Sequence, residues 1–240
     1  AEGAKAIRAE AERYGIQLSV HMPYFINLAA EDEEKKKKNL GYFVDSLKAA
    51  EALGAKRAVF HPGSASGGNR EEILERACGF FKEIIAALDE MELMHVTLCP
   101  ETMGKINQLG DLNEVIALCN VDERIWPTID FGHLHCRGLG SIKTKQDYAD
   151  ILDRLENGIG TERAKTMHVH FSRIEYTKGG EKMHHTFADT QYGPEFMPLA
   201  ELVAERDYSP VFICESKGTM AEDAKAMKDM YFSAAKALLK

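Results

Sequence analysis

Histidine and carboxylate side chains recur in this 240-residue chain at the ends of short apolar runs. In "WPTIDFGHLHCRG" (126–138) the apolar run stops at Asp130, and His133 and His135 follow within five residues. The same habit places His21 in "IQLSVHMPYF" (16–25), His61 in "RAVFHPG" (57–63) and Glu101 in "HVTLCPET" (95–102). It places His168 and His170 in "TMHVHFSRI" (166–174) and Glu215 in "PVFICES" (210–216). Imidazole and carboxylate, with no thiolate needed, suit zinc or manganese. A lone strand histidine is more often a hydrogen-bonded core residue, and a lone strand-end carboxylate a helix cap. Six of six runs ending this way is a different matter. His21, His61, Glu101, Asp130, His133, His168, His184 and Glu215 make eight candidate metal ligands. A tetrahedral zinc takes only about four. The inventory therefore points to two or three ions, zinc or alternatively manganese. Multinuclear sites of that kind serve phosphate-ester hydrolysis: one ion activates water, the others neutralise the phosphate and the leaving oxygen.

Elements must bring these scattered residues together. The short runs alternate with amphipathic stretches such as "EEILERACGFFKEIIAALDEM" (71–91) and "DYADILDRLENG" (147–158), with apolar residues at helical spacing. Strands alternating with helices predict βαβ units and a parallel sheet. Successive leading residues lie roughly 30 to 50 positions apart, about one βα unit each. In a parallel barrel the C-terminal ends of all strands meet on one face, where such enzymes build their sites. No linker or low-complexity segment divides the chain, so a single domain over 1–240 is expected.

Composition narrows the function classes. The net charge of −8 gives no general attraction to nucleic acid, so a DNA-binding role needs a local basic patch or bound metal ions. Five cysteines without a CxxC pair argue for reduced thiols and a cytoplasmic protein. No apolar run approaches the ~20 residues that would span a bilayer. "EDEEKKKKNL" (31–40) is nearly balanced in charge and is expected to be a solvated helix start.

The run-end motifs resemble those of the endonuclease IV family of apurinic/apyrimidinic endonucleases, zinc-dependent members of the wider xylose-isomerase-like group. "HMPYFINLA" resembles the family's first histidine motif and "FHPGS" its second. "PETMGK" is similar to the segment with a bridging glutamate, "DFGHLH" to the Asp-x-x-His segment, "MHVHF" to the next ligand strand and "ICES" to the closing glutamate. The resemblance implies an (β/α)8 TIM barrel. It implies a first zinc on His21 and His61 with Glu101 bridging, a second completed by Asp130, His168 and Glu215, and a third on His133 and His184. It gives Glu101 and Glu215 catalytic roles and places Tyr24 at the DNA surface. The implied reaction is hydrolysis of the phosphodiester 5′ to an abasic site in DNA, by a monomer with no membrane association. Such a site must turn the damaged nucleotide out of the stack, cheapest where the base is already gone.

Three departures qualify the match. The family holds its third zinc with an Asp-x-His pair, but "GGEKMHHTF" has Lys182 at the Asp position, with Glu181 beside it; that site is lost or recruits Glu181 or another ligand. His185 is expected to be a neighbour rather than a ligand. His168 and His170 are two apart and face the same way on a strand; the family pattern selects His168, leaving His170 to support it. The six strand-like runs also fall short of eight, so the barrel is expected to lack its first two strands in this sequence. Arg70, closing the Gly/Ser-rich "GSASGGNR" (63–70), is a candidate for the DNA backbone, although a flexible turn explains it equally well. Arg173, Lys178 and Lys182 in "SRIEYTKGGEK" (172–182) read as a local positive patch on a mobile loop, and Trp126 as packing. Two other functions compete. A sugar isomerase or epimerase on this barrel needs one divalent ion, which Glu101, Asp130, His168 and Glu215 could hold. A non-catalytic barrel would bind DNA or a partner with no more than a structural metal.

Overall fold

In the computed structural model, which describes residues 2–239, each of the six runs contains a strand, and helices separate them. Contacts divide the chain into two compact units. The first extends to Glu101 and adds residues 108–126; the second comprises residues 102–107 and everything from Pro127 onward.

The first unit runs α1 (Glu2–Arg13), β1 (Ser19–His21), α2 (Glu33–Leu53), β2 (Arg57–Phe60), α3 (Arg70–Glu90), β3 (Thr97–Pro100) and α4 (Leu112–Cys119). Its three strands form one parallel sheet in the order β1-β2-β3. His21 lies abreast of Val59, and Phe60 abreast of Pro100, so His61 and Glu101 leave their strands at the same level. The solvated start at "EDEEKKKKNL" is a helix N-terminus: Asp32 accepts from the Lys35 amide at 3.0 Å. Gly54, at φ 68°, closes the same helix in the left-handed region that glycine enters without penalty. The buried face of α3, carrying Phe81 and Ile84 among others, meets Phe43 of α2 and Phe60 of β2. The rings of Phe60 stand 5.0 Å from Phe43 and 5.4 Å from Phe81, a packed triad that fixes the strand beneath both helices.

The second unit runs β4 (Thr128–Asp130), α5 (Phe131–Arg137), α6 (Lys145–Ile159), α7 (Thr161–Lys165), β5 (His168–Phe171), β6 (Arg173–Thr177), β7 (Gly180–His185), α8 (Met197–Glu205), β8 (Val211–Cys214) and α9 (Met220–Ala237). A second parallel sheet has the order β4-β5-β8. Its core is aromatic: Phe171 packs edge-on against Phe196 at 5.0 Å and Phe187 at 6.0 Å.

One expectation is corrected. "SRIEYTKGGEK" is not a loop: β6 and β7 form an antiparallel hairpin closed by Lys178 and Gly179. Gly180, the first residue of β7, sits at φ 93°, and a Cβ there would lie 2.1 Å from the Gly104 carbonyl oxygen, so this position admits no side chain. The charged residues between Ile174 and Met183 mask the two-residue alternation that would have marked the strands.

Candidate metal centres

In the first unit, His21, His61 and Glu101 present ligand atoms within 4.8 Å of one another. The His21 Nδ1 is 2.8 Å from the Met22 carbonyl oxygen. A carbonyl only accepts, so Nδ1 carries the proton and Nε2 is turned toward Glu101, 3.2 Å from Oε2. The His61 Nε2 approaches the same oxygen at 3.4 Å. Glu101 is buried, while the imidazoles are partly open to solvent. Tyr24 lies over both rings, its centroid 5.2 Å from His21 and 5.1 Å from His61. Tyr24 and its neighbour Phe25 are 74% and 75% exposed. Phe25 was not singled out in the sequence; two adjacent aromatics soon after His21 would have been the signal.

Arg70 is placed differently from expectation. Its guanidinium donates to Glu114 at 2.5 and 2.9 Å and to the Gln108 carbonyl at 2.7 Å. The Gly110 and Asp111 amides donate to the same Glu114 carboxylate, each at 2.7 Å. Burial pushes the Glu114 carboxyl up, but Arg70 and the two amides outweigh it and hold it below the ordinary carboxylate range. Arg70 thus ties the start of α3 to the start of α4.

In the second unit, Asp130, His170 and Glu215 present ligand atoms within 4.8 Å of one another. The expectation that His168 is the ligand is not what the geometry shows. In the parallel register Asp130 lies abreast of His170, and His168 abreast of Thr128. His168 is thus set back two residues, about 6.6 Å along the strand, on the same face. The His170 Nδ1 is 3.2 Å from Glu215 Oε1, and the two histidine rings are 5.3 Å apart. Asp130 is fully buried and also caps α5, its Oδ1 accepting from the His133 amide at 2.7 Å. Thr102 Oγ1 accepts from the Asp130 amide at 2.9 Å.

A further group in this unit joins His133, Glu181 and His184. The His133 Nδ1 donates to the Thr102 carbonyl at 2.9 Å, which turns its Nε2 toward Glu181, 3.6 Å from Oε2. The His184 Nδ1 is 2.8 Å from Ser172 Oγ, and its Nε2 is 3.8 Å from Glu181 Oε1. Lys182 is directed elsewhere, onto Glu175 at 2.5 Å. His185 is a neighbour, stacked on Tyr192 at 4.1 Å and 3.3 Å from Glu175 Oε2. Arg173 is no surface cation: its side chain is 8% exposed, donating to Glu195 at 2.8 Å and to the Tyr192 carbonyl. The Cys136 thiol, buried beside His133, stays protonated because burial and the Asp130 and Glu181 carboxylates push it up.

Divalent ions fit these residues. Asp130 Oδ2 is buried and accepts no hydrogen bond, since His133 Nδ1, 3.5 Å away, is given to the Thr102 carbonyl; that is an expensive state for a carboxylate oxygen unless a cation meets it. Ligand atoms at ~2.1 Å around a tetrahedral zinc stand about 3.4 Å from each other. The facing pairs in the His21–His61–Glu101 and His133–Glu181–His184 groups stand at 3.2 to 3.8 Å.

Comparison with known proteins agrees with the fold. The family described as xylose isomerase-like TIM barrel matches residues 1–233, and the chain belongs to it. An uncharacterized protein of Methanocaldococcus jannaschii is 35% identical over 207 residues, 85% of this chain and 74% of that protein. A probable endonuclease 4 of Shouchella clausii is 31% identical over 72% of this chain and 58% of its own length. The chain spans between 50% and 60% of the probable endonuclease 4 relatives. Among solved structures, a D-tagatose 3-epimerase-like protein superposes with a TM-score of 0.76 at 19% identity, covering 99% of this chain and 85% of that one. Endonuclease IV from Thermus thermophilus gives 0.68 at 22%, covering 98% and 81%. No helix among the described residues is long and apolar enough to cross a membrane.

Proposed function

We propose that this chain carries the metal sites of a zinc-dependent phosphodiesterase that cuts DNA on the 5′ side of abasic sites. The observation that carries the proposal is the number of ligand groups. His21–His61–Glu101, Asp130–His170–Glu215 and His133–Glu181–His184 each gather imidazole and carboxylate atoms. Bound there, divalent ions would supply Lewis acidity and offset the charge of a phosphodiester. The chain's own residues do the remainder. Glu215, with its side chain 28% exposed, is open to water and can orient or take a proton from it. His133 and His170 are buried and fixed by their partners, so ligand geometry is set before substrate arrives. Tyr24 and Phe25 offer aromatic faces on which unpaired bases or the sugar of an abasic nucleotide can lie. Cations at these groups also answer the difficulty of a chain with net charge −8 binding a polyanion.

A sugar epimerase on the same fold would need one ion, and would leave the His21–His61–Glu101 and His133–Glu181–His184 groups without a task. The test is incubation of the zinc-loaded protein with a duplex carrying one abasic analogue. Nicking 5′ to the lesion, leaving a 3′-hydroxyl, is expected, and Glu215→Gln should slow it by about 10²- to 10⁴-fold. An intact duplex together with isomerisation of a ketose would overturn the proposal.

A further inference from the structure

We propose that Glu181, brought into position by a β-bulge at Lys182, is the carboxylate ligand of a divalent-metal site completed by His133 and His184. The proposal rests on the metal-binding reading above and assigns a residue that the family motif does not.

A carboxylate–x–His motif works on a strand because residues two apart share a face. The chain has Lys182 where that motif needs a carboxylate, and an ammonium group repels a metal ion. Glu181 is three positions before His184, and on a regular strand it would face the opposite way. The hairpin is not regular there. Glu175 pairs with Met183, but the next residue, Tyr176, pairs with Glu181, so β7 has one residue more than β6 across that step. Lys182 is the extra residue, and a bulge of this kind restores Glu181 to the face of His184. The bulge converts a spacing of three into the geometry of a spacing of two.

Three features hold it. Lys182 is drawn off to Glu175 at 2.5 Å. The Glu181 amide donates to the Gly104 carbonyl at 3.2 Å, next to a bridge between Lys105 and Gly180. The absence of a side chain at Gly104 leaves room, since a Cβ there would stand 2.7 Å from the Cβ of Glu181. The two carboxylate oxygens of Glu181 then divide between the histidines, Oε2 toward His133 and Oε1 toward His184. At 3.6 and 3.8 Å these pairs are longer than charge-assisted hydrogen bonds and close to the spacing of atoms around a shared ion. Both imidazoles are oriented from behind by Thr102 and Ser172, as metal-bound histidines commonly are.

The experiment is zinc content per chain after dialysis, with the visible spectrum of the cobalt-substituted protein as a second readout. Glu181→Gln should hold one ion fewer than wild type and lose part of the cobalt absorption. Lys182→Ala should hold the wild-type number. Deletion of Lys182 should also keep it, because removing the extra residue leaves Glu181 and His184 two apart on a regular strand. Melting in excess chelator reports whether each variant folds. If Glu181→Gln does not, Glu181→Asp replaces it, and the same ion should bind more weakly. A Glu181 variant with wild-type zinc content and spectrum, or loss of the ion in Lys182→Ala, would overturn the proposal while leaving the other ligand groups standing. A wild-type chain that binds no metal would overturn both this and the proposed function.

Discussion

Asp130 carries two tasks on two oxygens. Oδ1 caps α5, and Oδ2 is buried without a donor. Asp130→Asn keeps an oxygen for the cap but removes the charge, so stability should change by less than ~1 kcal/mol. Zinc affinity should fall by more than about 100-fold, in excess of the ~10- to 100-fold that a supporting contact alone contributes. Equilibrium dialysis beside a denaturant melt separates the two effects; a large loss of stability with unchanged affinity would contradict the assignment. Gly104 is a second sensitive point, because a Cβ there would meet Cys136 Sγ at 2.8 Å and His133 Cδ2 at 3.0 Å as well as Glu181. Gly104→Ala should cost about 1–3 kcal/mol by overpacking and should weaken metal binding together with it. Tyr24→Ala, by contrast, removes only an exposed ring. It should reduce affinity for abasic DNA by the ~1–3 kcal/mol of one stacking contact, with zinc content unchanged. Most of the candidate ligands were legible because each stands at a strand end in an otherwise apolar run. The choice between His168 and His170 was not, since both face one way and only the register with Asp130 separates them.

At the level of elements, the six parallel strands were readable from short β-branched runs between amphipathic stretches, and the helix start within residues 31–40 from its charge pattern. The β6–β7 hairpin was missed for a physical reason: it carries Glu175, Lys178, Glu181 and Lys182 within eight residues, so it has the composition of a loop. The bulge was hidden too, because no local sequence rule reports which of two adjacent residues is the extra one. Arg70 shows the opposite error, a surface-looking cation that serves as a clamp between α3 and α4. That clamp has a pH signature. The Glu114 carboxyl is held below its unfolded value of about 4.3, so its contribution is full above that pH and is lost as pH falls through the folded value. Arg70→Gln should therefore raise the pH of the acid-unfolding midpoint as well as lower stability at neutrality. An acid midpoint that does not move would mean that Arg70 does not depress Glu114.

For the whole molecule, family and fold class agree with the reading of the sequence, and the chain matches the xylose isomerase-like TIM barrel family over residues 1–233. Fold does not choose between chemistries, since epimerase-like and endonuclease structures both superpose well. The number of bound ions does choose. If buried carboxylates such as Glu101 and Asp130 face cations in the working protein, chelation should lower the melting temperature, and added zinc should restore it. The most direct measurement is elemental analysis of the protein purified without chelator, expressed as ions per chain. Two or three zinc or manganese ions per chain is the predicted result. A single exchangeable ion would contradict the multinuclear account and favour isomerase chemistry.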